Sequence, residues 1–402
     1  MAKLRRGEGK PPLLYILMAF LFVLTWFAPL SSSLAREASE ELMDREIARE
    51  VDLHFMEDYW SEVEEDVEEY FPSLNWREAF HWFQPGEEGL NFQEIPGGLV
   101  RFFMGELFLN LRFLGKLLVL AVVAALVKNL QTAFESKNVA WLTRGVLLMV
   151  LIGLIMPGFM AAMELARSTV GNMVDFILAF IPVMLILLSS LGSFSAVTLF
   201  HPVIIFSINF FSYLISYVVF PLILFTTALA LVNTISPGLN LGKLAGFFKD
   251  LCSWTLGLMI TLFVALVCVK GVTGTVGDAV TLKTAKFLSG SFIPVIGKTL
   301  GDAVETVAGA SLIFKNGVGL AGLIVLLMIC LFPLLKLFVL FFIYRAAAAL
   351  VQIVGETSLG DCLTAMGNSL MLIIASVAGM TVIFFLAVVI IVASGNALVM
   401  LR

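Results

Sequence analysis

Apolar residues fill this chain in runs too long for a soluble core. Beyond residue 98, seven stretches are predominantly apolar: 105–127, 141–163, 174–194, 198–232, 251–271, 318–344 and 368–394. Each supplies the roughly 20 residues that a helix needs to cross a hydrocarbon layer about 30 Å thick. Only helices and closed barrels satisfy their backbone groups in lipid, so the pattern predicts an all-α, polytopic membrane bundle. The fourth stretch would extend about 52 Å as helix, too long for one upright span. Pro221 offers a kink within it, and one bent or tilted helix is the expected form.

Ahead of the bundle the pattern changes twice. Lys3, Arg5, Arg6 and Lys10 precede an apolar run from Leu13 to Leu30, which ends near Ser33-Leu34-Ala35. This is the layout of a signal peptide or anchor over 1–35, and cleavage after Ala35 is the favoured reading over an uncleaved anchor. From 36 to 98 the chain is polar. Ile47, Val51, Phe55, Tyr59, Val63 and Val67 recur every four residues and lay one apolar stripe on an otherwise acidic helix. Pro72 ends it, and a Gly/Pro-rich linker through Pro96-Gly97-Gly98 leads into the membrane domain, 99–402.

Between the fifth and sixth stretches, residues 273–317 form neither a full span nor an ordinary loop. Val276, Val280, Phe287 and Leu288 fall near one face of a first helical arm; Leu300, Val304, Val307 and Ser311 line a second. Each arm is about 24 Å as helix, short of a crossing, and Pro294 and Gly297 separate them. Two readings fit: a re-entrant hairpin buried in protein or lining a watery cavity, or a pair of interfacial amphipathic helices. On the first, Lys283, Lys286, Phe292, Pro294, Gly297, Gly301 and Asp302 form the candidate translocation segment.

Composition sharpens this outline. Hydrophobic residues make up 60% of the 402-residue chain and charged ones 14%, against about 25% charged in soluble domains. The net charge of −5 conceals a segregation. Residues 36–94 hold 19 acids and 4 bases, net −15; residues 95–402 hold 10 acids and 17 bases, net +7. An acidic soluble part excludes nucleic acid as its partner. The four cysteines lie in or beside apolar runs, with no CxxC spacing for a metal. With the acidic region outside the cytoplasm, seven spans put the Lys283/Lys286 loop and Arg402 inside, and Glu164, Arg167 and Asp175 in an outside loop. Lys243 and Lys249 are the discordant pair.

Within the runs, Lys336 sits near the middle of the sixth, three residues after Pro333. A charge there costs at least about 2.5–3.5 kcal/mol on insertion scales, so it faces the bundle interior, water or a partner, or else snorkels to an interface. Asn209 in the fourth run suits packing between helices better than transport. No phosphate loop, HExxH or GxSxG is present, and Glu50, His54 and Asp58 read as a solvated acidic face rather than a metal ledge. No catalysis, cofactor or metal is expected.

The order of parts resembles the stage III sporulation protein AE family of endospore-forming bacteria. The segment that carries the resemblance is Asp278 to Phe287, then Phe292-Ile293-Pro294-Val295-Ile296-Gly297, with Gly301-Asp302-Ala303 and Glu305-Thr306 beyond. It implies a permease-like membrane subunit of the secretion or feeding channel between mother cell and forespore, seated in the mother-cell-derived outer forespore membrane. Its acidic segment would be extracytoplasmic and its C-terminus cytoplasmic. The implied partners are lipid, other membrane subunits, ring-forming subunits and a secretion-type ATPase. A stand-alone secondary transporter of a small solute is the alternative; the absence of a visible inverted repeat counts against it.

Overall fold

The computed structural model describes residues 94–133, 137–190, 194–235, 240–266 and 296–400. Every regular element among them is helical. In chain order these are α1 (Glu94–Ala133), α2 (Lys137–Ser190) and α3 (Phe194–Leu214), then a π-helical turn at Ile215–Val219 that passes directly into α4 (Phe220–Ile235). They continue with α5 (Gly242–Leu266), α6 (Ile296–Ile353) and α7 (Thr357–Met400). With α3 and α4 counted as one run, 6 helices are long and apolar enough to cross a membrane. The chain is an all-helical, polytopic integral membrane protein, as its hydropathy predicts. The signal-like stretch, the acidic stripe and the first arm of the 273–317 segment lie outside the described residues.

Several helices far exceed one crossing. α2 has 54 residues and α6 has 58, about 81 and 87 Å at 1.5 Å per residue. The expected span 141–163 and the expected span 174–194, as far as Ser190, are therefore parts of one helix, and the expected outside loop between them is helical. Glu164-Leu165-Ala166-Arg167 consists of strong helix formers, and polarity alone does not end a helix. α6 likewise joins the expected second arm to the sixth span without a break. It starts two residues after Pro294, so Gly297 lies inside its first turn. Pro157, Pro182 and Pro333 lie within helices. Each removes one backbone bond, a smaller loss than opening the helix in a medium that offers no hydrogen bonds.

The 198–232 stretch is helical throughout. Pro221 cannot donate to the carbonyl four residues back, and its ring crowds that carbonyl. The chain widens just before it, where Phe220 N–H reaches Ile215 O, five residues back, in a single π turn.

α7 is central: 61% of its apolar window is buried, against 17% for α1 and for α5. It forms an antiparallel hairpin with α6 through a tight turn at 354–356, where Gly355 takes φ +96. That left-handed backbone suits glycine. α2 runs antiparallel to α6, because Met184 and Phe180 meet Gly319 and Gly322, whereas Ile155 meets Tyr344. Tyr344 Oη donates to Ile155 O at 2.6 Å. α1 lies along the C-terminal half of α6, with Phe102 5.1 Å from Phe332 and Phe113 5.6 Å from Tyr344 between ring centroids. α5 follows α4 through Gly242 N–H, which donates to Asn233 Oδ1 at 2.9 Å, and later brings Ile260 within 3.8 Å of the Cβ position of Gly379. Lipid tails are as apolar as leucine, so helix association here depends on close packing, which the bare Cα of Gly319 and Gly322 permits.

Candidate functional site

The charges that the sequence pattern places in a loop form a stripe on α2. Glu164, Arg167, Ser168, Gly171 and Asp175 are spaced by three and four residues and share one helix face. Glu164, Arg167, Ser168 and Asp175 are exposed. The other side is packed: Met163, Ala166, Val170, Met173 and Ile177 are buried. Ser168 Oγ donates to Leu165 O at 3.0 Å and so satisfies its hydroxyl locally. Glu164 and Arg167, three apart, are surface neighbours of opposite sign.

Depth gives the stripe its meaning. Thr381 Oγ1 lies 3.6 Å from Met173 Sδ, which sets the stripe beside the midpart of α7. α2 is apolar on both sides of it, along 145–163 and 176–188. Lys336, half-buried on α6, falls in the same zone, between Gly322 at Phe180 and Tyr344 at Ile155. Charged groups at such positions in a membrane helix face water or protein rather than lipid tails.

The other predicted residues are dispersed. Asn209 is exposed, and its Nδ2 donates to Ile205 O of its own helix at 2.9 Å. Gly297, Gly301 and Asp302 lie in the first turns of α6, so Asp302 is about 51 Å along that helix from Lys336. Lys283, Lys286, Phe292 and Pro294 lie outside the described residues. The stripe was not singled out by sequence reasoning. Its signal was there, in a 3-4 spacing of polar residues with no Pro between two apolar runs.

A second polar feature closes the far end of the α6–α7 hairpin. Lys315 is fully buried and its Nζ donates to Val392 O at 2.6 Å. Beside it Asn316 Oδ1 is buried without a hydrogen-bond partner. Among the described residues, no three His, Cys, Asp or Glu side chains gather as a metal site would require.

Comparison with known proteins identifies a family. The family model for stage III sporulation protein AE matches residues 74–395. A curated relative, "Stage III sporulation protein AE" of Bacillus subtilis (strain 168), is 32% identical over 366 residues, covering 91% of each chain. No solved structure matches. The chain, with its six long apolar helices, belongs to the stage III sporulation protein AE family and is a membrane protein of sporulation.

Proposed function

We propose that this protein is a permease-like subunit of a multiprotein secretion channel between mother cell and forespore, with the α2 stripe facing the hydrated path. The observation that carries the reading is the exposure of Glu164, Arg167 and Asp175 halfway along an otherwise apolar helix. Lipid is a poor neighbour for three charges, and a water-filled path bounded by other subunits is a good one. Membrane and ring-forming subunits complete that path, and a secretion-type ATPase supplies the energy. The protein itself performs no chemistry and needs no cofactor. It sits in the mother-cell-derived outer forespore membrane, with the acidic segment extracytoplasmic and the C-terminus cytoplasmic.

Asp175→Leu and Arg167→Leu remove charge while keeping helix propensity. Both are expected to depress sporulation severely while the protein still accumulates in the membrane, and normal sporulation in both would remove the stripe from the mechanism. Copurification in mild detergent tests the complex: the ATPase and ring subunits should accompany the chain. Solute transport by the purified chain alone in liposomes would overturn the subunit role.

A further inference from the structure

α5 is the least apolar of the six spans, yet it shares with α1 the lowest burial. Its inward side is occupied: Cys252, Leu256, Met259 and Phe263 are buried, and Phe263 lies 6.0 Å from Phe211 between ring centroids. The opposite side is bare.

Two rows run along that bare side, each spaced by four residues and therefore continuous on a helix. Lys249, Ser253, Gly257, Thr261 and Ala265 form the first; Asp250, Trp254, Leu258 and Leu262 form the second, one residue further on. All nine residues are exposed, Trp254 at 76%. Beyond Lys249 the first row is small, and beyond Asp250 the second is bulky, so a shallow groove lies beside a ridge. Ser253 Oγ donates to Lys249 O at 3.1 Å and Thr261 Oγ1 donates to Gly257 O at 2.8 Å, which leaves neither hydroxyl in need of a partner beyond the helix. Rows of this spacing interlock when two helices cross at about −40 to −50°, and small residues let the backbones come close.

Gly257 adds a separate observation. A Cβ there would meet no atom of the chain within 4 Å, unlike Gly319 and Gly322, whose missing side chains make room for Val392 and Phe180. Glycine inside a helix is less stable than alanine, and nothing within the chain offsets that loss at Gly257. A close neighbour from outside the chain would.

Lys249 and Asp250 identify the neighbour. Adjacent residues point about 100° apart on a helix, so these two do not neutralise each other. A second copy, related by a two-fold axis along the membrane normal, sets each Lys249 beside the other copy's Asp250. The same operation lays each ridge of Trp254, Leu258 and Leu262 along the other copy's groove. The face is thus complementary to itself in charge and in shape, as a two-fold interface requires. We infer that α5 is the seam of a parallel homodimer, in which the two helices cross at Gly257 and Lys249 of each copy pairs with Asp250 of the other.

Disulfide trapping of the full chain in liposomes tests the seam. With the native cysteines replaced by alanine, single cysteines go onto the face by Ser253→Cys or Thr261→Cys, and onto the exposed flank by Phe247→Cys or Leu251→Cys. Cysteines bridge only when their Cα atoms lie within about 7 Å, so mild oxidation should link the first pair into dimers about tenfold faster than the second. Equal rates at all four positions, or no covalent dimer at any, would overturn the inference. Energy transfer between separately labelled copies, native cysteines retained, distinguishes a second copy from another occupant. Gly257→Ile should abolish the transfer; its side chain meets nothing in its own chain, so the variant still folds. Lys249→Asp should weaken the transfer and the further change Asp250→Lys should restore it, because only a face that meets itself is repaired by exchanging its own charges. Transfer that persists in Gly257→Ile, or that stays weak in the exchanged variant, would also overturn it.

Discussion

Adding one methyl group at Gly322 tests how tightly the inner helices are locked. Gly322 on α6 is buried, and a Cβ there would collide with the ring of Phe180 on α2. The ring has nowhere to go: Phe180 is 0% exposed and stacks on Phe176 with centroids 5.7 Å apart and planes 17° from parallel. Relief requires either an off-rotamer Phe180 or a shift of α2 away from α6. Overpacking of this kind costs about 1–3 kcal/mol, and disturbing the stack adds about 0.5–1.5 kcal/mol. Gly322→Ala should therefore lower stability by about 2–3 kcal/mol, read as an earlier SDS-unfolding midpoint of the purified protein in mixed micelles. Phe180→Leu alone leaves a cavity and should cost about 1–2 kcal/mol. In the double variant the new methyl occupies space vacated by the ring, so the combined loss should be smaller than the sum by about 1–2 kcal/mol. Strictly additive losses would refute the contact and, with it, the register that puts Phe180 opposite Gly322.

Other perturbations address separate parts of the fold. A Cβ at Gly158 would stand 2.9 Å from Tyr344 Oη; Gly158→Ala should destabilise the wild type but do less harm in a Tyr344→Phe background, in the same unfolding assay. Tyr344→Phe by itself loses the hydroxyl bond to Ile155 O and should cost about 0.6–1.7 kcal/mol, the range for such bonds within membranes. Gly355→Ala forces a side chain into φ +96 and should cost about 1–2 kcal/mol, with Gly355→Asn milder. Lys315→Glu sets a carboxylate against the Val392 carbonyl and should prevent accumulation of folded protein, measured by fluorescence-detected size exclusion.

What the sequence discloses and what it hides follow from the same physics. Hydropathy reports transfer to lipid, so runs such as 318–344 and 368–394 announce helices, and Pro221 correctly marks a local irregularity. Hydropathy does not report where a helix stops. Glu164, Arg167 and Asp175 lower it enough to suggest a loop, yet nothing between Ala162 and Phe176 breaks a helix, and α2 continues through. Hydropathy is equally silent on contact: Gly319 and Gly322 lie in the expected sixth span, 318–344, with no mark of a neighbour. They are contact surfaces, and only the partners Val392 and Phe180, distant in sequence, reveal it. The stripe was hidden for a related reason: its residues form a face only once the helix is known to be unbroken.

The bond from Lys315 to Val392 also bears on how the protein is made. The donor and acceptor are 77 residues apart, on the two arms of a hairpin at its open end, with the turn between them in sequence. A ribosome delivers Lys315 long before Val392, so α6 enters the membrane with an ammonium group whose eventual carbonyl partner does not yet exist. That group disfavours release into lipid until α7 is nearly complete. The last two helices are thus coupled in time as well as in space.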